Sequence, residues 1–212
     1  MKERNVLLTA GKWALLILIL LFLLFPLYWV LITSFKTNME AYRAVPTFFP
    51  DAPTVESYIK LFTKNNEFFV YYKNNFIVSG ITALITTCLA ILAGYGLSRF
   101  HFKWNGIVVA LLLSSQMFPV VSRMISLYDL MNKMHLNNTL TGLIFALTAA
   151  MLPFTVMLMS SFFDSVPSAV EEAAYVDGAS RLAVLWRIVV PLVKPGMLAV
   201  GIYSFLMTWD DY

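Results

Sequence analysis

Long apolar runs recur along this chain, and the longest of them match the thickness of a lipid bilayer. The first run covers residues 13–35 without a single charged residue, and a membrane-spanning helix needs about 20 mostly apolar residues. Only 13% of all residues are charged, against about 25% in a typical soluble domain. We therefore predict an all-α integral membrane protein, in which a bundle of helices crosses the bilayer several times.

The apolar runs divide the chain into five spans and one large polar loop. The first run exceeds the roughly 7–15 apolar residues of a cleaved signal peptide, so we expect it to be an uncleaved anchor. The fifth run is short and ends on polar residues, so we expect residues 1–212 to be a single membrane domain that is truncated inside its fifth span. The predicted spans are residues 13–35, 74–98, 104–128, 138–163 and 195–212, and the loop is 164–194.

Charge and cysteine content exclude several kinds of function. Lys and Arg are scattered rather than clustered, which does not indicate binding to nucleic acid. The single cysteine, Cys88, cannot form a disulfide within the chain or a thiolate metal site. No phosphate-binding G-x-x-x-x-G-K-[ST] motif occurs, so any ATP must be bound by another chain. The loops on the N-terminal side of the predicted membrane contain eight Lys or Arg, and those on the other side contain seven. Because the two numbers are nearly equal, they leave the orientation in the membrane open.

The loop 164–194 has the pattern of a helix, a turn and a second helix. Ser168 and Glu171 have the spacing of a capping box at a helix start, and Gly178 suits a left-handed turn at its end. A second short helix fits residues 180–190. Glu171, Glu172 and Tyr175 fall on one arc of about 100°. An amphipathic helix on the membrane surface is one interpretation. Two glutamates would be repelled by anionic lipid, however, and favour a protein partner with a basic groove.

The same loop carries a long motif of fixed spacing. Glu172-Ala173-Ala174, Gly178, Ile188 and Pro191 match the pattern E-A-A, three residues, G, nine residues, I-x-L-P, with Val190 replacing the leucine. This pattern resembles the signature loop of permease subunits of binding-protein-dependent ABC importers. Further segments resemble the sugar branch of that family: residues 34–37, 57–58, 94–100, 116–119 and 209–212. Among these, residues 117–119 resemble its maltose-type members in particular.

The resemblance implies a type I importer permease fold of about six spans, in the inner membrane of a bacterial or archaeal cell, with the N-terminus in the cytoplasm. It implies that the chain is not itself an enzyme. The implied partners are a homologous second permease subunit, two ATP-binding cassette ATPase subunits, an extracytoplasmic solute-binding protein, a sugar substrate and membrane lipid. The implied ATPase-docking residues are Glu171, Glu172, Ala173, Ala174, Asp177 and Gly178.

Residues within the predicted third and fifth spans are candidates for the solute pathway. Pro119 is expected to kink its helix, which either only shapes the helix or forms part of a translocation cavity. Charges at the depth of Asp210 and Asp211 usually face a bundle interior or water, and with Trp209 they can line a path for sugars. Two alternatives stay open, namely a permease for another solute such as a polyamine and a secondary transporter driven by an ion gradient.

Overall fold

A computed structural model describes residues 2–63, 66–100 and 103–211. Every regular element among these residues is a helix. Residues 1–70 and 71–212 form two compact units.

The first unit is dominated by α1, Lys2–Ser34, which continues through Pro26. It contains the largely apolar stretch Gly11–Ser34, in which Lys12 is the one charged residue and none of which is buried in the chain. A helix that is apolar on all sides is expected inside a membrane, so lipid or another protein covers α1. The short helices α2, Asn38–Ala41, and α3, Glu56–Thr63, follow it. Thr54 precedes α3 and its hydroxyl accepts a hydrogen bond from the backbone N–H of Glu56 at 3.1 Å.

The segment after α1 is folded around two buried charges. Lys36 and Glu40 are each 3% exposed. The ammonium group of Lys36 donates to the carbonyl of Thr47 and lies 4.8 Å from the centre of the Trp29 ring. One oxygen of Glu40 accepts from the Thr47 hydroxyl at 2.6 Å and from the backbone N–H of Asp51 at 2.9 Å. These bonds, the first above all, hold the pKa of Glu40 below its ordinary value of 4.5.

Acid is expected to open this segment. Because folding lowers the pKa of Glu40, the stability contributed by its carboxylate is fully present above pH 4.5. It is lost as the pH falls through the lower pKa of the folded state. Cleavage by pepsin between residues 41 and 50, expressed relative to that of Glu40→Gln at the same pH, should therefore increase as the pH is lowered from about 5 to 2.

Two variants control this experiment. Glu40→Gln should be cleaved readily throughout the same pH range. Glu56→Gln removes an exposed carboxylate that pairs with Lys60, and it should behave like the natural chain. Equal cleavage of the natural chain at both ends of the range contradicts this role of Glu40.

The second unit contains the remaining helices. Glu67–Arg99 and Leu140–Asp164 are unbroken helices that are long and apolar enough to cross a membrane. They agree with the predicted spans 74–98 and 138–163. With α1 they make three such helices among the described residues, and the number is five if each of two bent helix pairs counts as one span. The helices are α4 Asn66–Arg99, α5 Asn105–Met117, α6 Val120–Lys133, α7 Leu140–Asp164, α8 Ser168–Val176, α9 Arg181–Val184, a π-helical turn Leu185–Val189, α10 Val190–Leu192 and α11 Lys194–Asp211.

The predicted third span, residues 104–128, is not one helix. α5 ends at Met117 and α6 begins at Val120, at an angle of 104° to it. Proline disfavours helical backbone in the residue before it, and Phe118 is extended, with φ −69° and ψ 135°. Pro119 is extended as well, with φ −53° and ψ 135°. Two successive extended residues break the helix, where the sequence predicted only a kink at Pro119.

A second bend separates the helical stretch 181–192 from α11. The two form an angle of 79° at Val193, close to Pro191 and Pro195. The stretch contains the second short helix predicted for residues 180–190, but it continues through Pro191, where the prediction ended it. Within the described residues, α11 covers residues 195–211 of the predicted fifth span, 195–212.

One apolar core joins α4, α7, α8, the stretch 181–192 and α11. At Gly94, α4 comes so near α7 that an added Cβ would lie 2.9 Å from the backbone nitrogen of Ser160. Gly94 and Tyr95 are thus packing residues of α4, and Gly96 is a helical residue beside them. The core consists of Ala90, Ile91, Tyr95, Val156, Met159, Phe163, Val166, Ala174, Val184, Leu185, Val189, Val190, Val193 and Val200.

Candidate docking site

The predicted helix–turn–helix is present in the loop between α7 and α11. α8 runs from Ser168 to Val176 and is followed by Gly178 in the left-handed conformation, with φ +81°. The N–H of Gly178 donates to the carbonyl of Tyr175, and that of Ala179 donates to the carbonyl of Ala174, both at 3.0 Å. This pair of bonds is the Schellman arrangement that ends many helices. The predicted glycine turn is confirmed.

The predicted capping box is wrong. Pro167 is the N-cap of α8, with no hydrogen bond from its side chain, and Ser168 is already the first helical residue. The carboxylate of Glu171 does not return to the helix start because it binds the guanidinium of Arg99 instead. A side-chain cap does occur at the second helix, where the hydroxyl of Ser180 accepts from the N–H of Ala183 at 3.3 Å.

Glu171 and Glu172 have different surroundings, although the sequence placed them on one arc of about 100°. Glu171 is 4% exposed. Its Oε1 lies 2.5 Å from Nε of Arg99, and its Oε2 accepts from the hydroxyl of Tyr95 at 2.6 Å. Glu172 is exposed. Consecutive helical residues differ by about 100° in direction, and the position of Arg99 decides which of the two glutamates turns inward.

Arg99 is the residue that sequence reasoning missed. It is the last residue of α4, and its guanidinium also donates to the carbonyl of Val166 at 2.7 Å and to the hydroxyl of Ser98 at 3.0 Å. Ser98 in turn donates to the carboxylate of Asp164 at the end of α7. The sequence contained one indication of this ion pair. Arg99 lies at the end of a predicted span, and Glu171 is a second glutamate directly before the E-A-A motif.

The exposed surface at α8 and its C-terminal turn has small side chains and acidic residues. Of the six predicted docking residues, Glu171 and Ala174 are buried against the bundle, while Glu172, Ala173, Asp177 and Gly178 are exposed. Val176 adds an apolar side chain that is 88% exposed. Small side chains allow another backbone to approach closely. The two carboxylates favour a partner surface with basic groups.

The predicted pathway residues lie at the break between α5 and α6 and at the end of α11. Pro119 is exposed at the break between α5 and α6. Trp209 packs against α4, with its ring 5.4 Å from that of Tyr72 and its carbonyl 3.3 Å from the side-chain amide of Asn75. Asp210 and Asp211 are exposed on the last turn of α11.

These features define a class of protein: a multi-span helical membrane protein that holds a short, acidic, glycine-ended helix on the polar loop between two spans. Residues 86–212 match the family described as the binding-protein-dependent transport system inner membrane component, and the chain belongs to this family.

Named relatives agree with this assignment. A sulfoquinovosyl glycerol transport system permease protein of Agrobacterium fabrum is 34% identical over 89% of this chain and 66% of its own length. An inner membrane ABC transporter permease protein of Escherichia coli is 35% identical over 93% and 71%. A diacetylchitobiose uptake system permease protein of Streptomyces coelicolor is 34% identical over 94% and 65%. The chain thus spans about two thirds of the length of these relatives.

A solved structure has the same fold. A chain of a bacterial ABC transporter involved in the import of the acidic polysaccharide alginate superposes with a TM-score of 0.67. The alignment covers 97% of this chain and 72% of that one at 18% identity. The predicted type I permease fold is confirmed.

Proposed function

We propose that this chain forms one half of the membrane channel of an ATP-driven importer, and that α8 is the element that docks on the ATPase. The observation that carries this proposal is the exposed face of α8, which has acidic residues and small side chains. The helix ends at Gly178, which has left-handed backbone. The inner face of the same helix is packed into the core of the bundle.

The proposed ATPase contact uses the exposed members of the predicted set. Glu172 and Asp177 supply negative charge for a basic cleft. Ala173 and Gly178 let the backbones approach, and Val176 fills an apolar part of the cleft. Glu171 and Ala174 act from the other side of the helix, where they fix its position on the bundle.

The proposed assembly has a homologous second permease, two ATPase subunits and a solute-binding protein that delivers the substrate from outside. The N-terminus and α8 lie in the cytoplasm, and the segment around Lys36 and Glu40 lies outside. ATP-driven closure of the ATPase pair displaces α8, and this displacement switches the channel between its outward-open and inward-open states.

The proposed substrate is a carbohydrate, a mono- or oligosaccharide. This follows the names of the relatives, which include permeases for sulfoquinovosyl glycerol, diacetylchitobiose and trehalose or maltose. Uptake of a polyamine but of no saccharide contradicts the substrate class. Uptake that continues without ATP while an ion gradient is present contradicts the ATP-driven mechanism.

Cysteine labelling tests the orientation and the docking site together. In a background lacking Cys88, Met39→Cys should react with a membrane-impermeant maleimide added outside intact cells, and Val176→Cys should not. In inside-out vesicles Val176→Cys should react, and more slowly once the ATPase is bound. Both side chains are exposed, at 87% and 88%.

A matched position keeps this experiment specific. Met134→Cys, at a half-exposed residue in the predicted outer loop between α6 and α7, should react from outside whether or not the ATPase is bound. External labelling of Val176→Cys in intact cells overturns the orientation. Unchanged labelling in the presence of bound ATPase overturns the docking site.

A further inference from the structure

The end of α4 is joined to α8 by a buried ion pair. Nε of Arg99 and Oε1 of Glu171 are 2.5 Å apart, and the side chains are 16% and 5% exposed. The second oxygen of Glu171 accepts from Tyr95, one turn earlier on α4, at 2.6 Å. Both oxygens of the Glu171 carboxylate are therefore held by α4. Hydrogen bonds of this kind, between charged groups, are short, directional and stronger than neutral ones.

This pair is the main polar connection between α8 and the bundle. Within the described residues, the side-chain hydrogen bonds that leave α8 come from Glu171 and Tyr175, and both end on α4. The oxygens of Tyr175 and Tyr95 are 3.4 Å apart. The other buried side chain of α8 is Ala174, which makes apolar contact only. A displacement of α8 therefore pulls or pushes α4 through Glu171.

The opposite part of α4 contacts the last turns of α11. The ring of Tyr72 lies 5.4 Å from that of Trp209, and the ring of Phe76 lies 6.0 Å from that of Phe205. The side-chain amide of Asn75 donates to the carbonyl of Trp209 at 3.3 Å. One helix thus connects the ion pair at α8 with the predicted pathway residues at the end of α11.

We propose that the Arg99–Glu171 ion pair, supported by Tyr95, transmits the movement of the docking helix to α4 and so couples ATP hydrolysis to transport. The inference rests on the proposed function, since it assigns to these residues the coupling of the docked ATPase. All three are positioning residues that act through α4 and touch neither solute nor nucleotide.

The test uses the complete importer, with its ATPase and binding protein, reconstituted in liposomes. Arg99→Gln and Glu171→Gln should leave the ATPase bound and hydrolysing ATP. The solute transported per ATP hydrolysed should fall several-fold, because the movement of α8 is then no longer transmitted to α4 through this pair. The exchange Arg99→Glu with Glu171→Arg should recover part of the loss. Lys133→Gln, which removes an exposed pair with Asp129, is the control and should not change the ratio.

The other possible outcomes overturn either the coupling role of the ion pair or the proposed function of the chain. An unchanged ratio in both Gln variants overturns the coupling role. Loss of the ATPase from these variants also overturns it, because the pair then only shapes the docking surface. If neither variant reaches the membrane, Tyr95→Phe decides: it removes one hydroxyl, and an unchanged ratio overturns the proposal. If the unsubstituted chain binds no ATPase, the proposed function itself is refuted.

Discussion

Glu171→Ala should lower the free energy of unfolding by about 3 kcal/mol, near the lower end for breaking a buried ion pair. The variant leaves the guanidinium of Arg99 largely buried without its carboxylate and leaves the hydroxyl of Tyr95 without its acceptor. Glu172→Ala changes an exposed side chain, and its effect should stay within about 0.5 kcal/mol. Two neighbouring glutamates with the same chemistry should therefore differ several-fold in their effect on stability.

Denaturation of the purified chain in detergent measures this difference. A double variant, Arg99→Met with Glu171→Met, is the control, because replacing both members of a buried ion pair by apolar residues is often neutral. It should recover most of the stability without recovering coupled transport. Equal stability of Glu171→Ala and Glu172→Ala contradicts the inward position of Glu171.

Gly178→Val should abolish uptake. Gly178 has φ +81° and no neighbouring atom within 4 Å of a Cβ placed there, so the backbone conformation and not the lack of space selects glycine. Left-handed backbone costs an ordinary residue roughly 1–2 kcal/mol, and a β-branched residue tolerates it least. The turn between α8 and the stretch 181–192 should reorganise, and the exposed face of α8 should no longer fit its partner.

The matched substitution for this experiment is Gly178→Asn, since asparagine is the residue that most often replaces glycine at such a turn. It should keep most of the uptake that valine removes. Uptake by both variants, and the amount of ATPase retained with each, are measured in the same membranes. If Gly178→Val is present in the membrane at normal levels and supports full uptake, the turn at Gly178 is not part of the docking site.

The parts of the fold that were predictable depend on local chemistry. The long apolar runs predicted the long helices, and Gly178 predicted the end of α8. Pro191 did not end the second loop helix, which continues to Leu192, and the bend falls at Val193. The direction of Glu171 was not predictable in this way, because it depends on Arg99, 72 residues away in sequence. A capping box and an inward ion pair use the same glutamate. From the sequence, the nearby Ser168 was the expected partner of Glu171. In the structure the distant Arg99 binds Glu171 instead.

The break at Phe118 and Pro119 was also only half predictable. A proline inside an apolar run indicates a disturbance, and membrane helices usually absorb it as a kink. Here the residue before the proline and the proline itself are both extended. The turn of 104° results from two residues, where the sequence pattern identified one.

That break limits what can surround the chain at this depth. α5 has 13 residues, which at about 1.5 Å each is shorter than a hydrocarbon core of about 30 Å. If α5 starts at one membrane surface, its last carbonyls and the first N–H groups of α6 fall inside the bilayer without helical partners. Hydrocarbon offers such groups no hydrogen bonds, so irregular backbone at that level must meet protein or water. The bend therefore marks a face of the chain from which lipid is excluded.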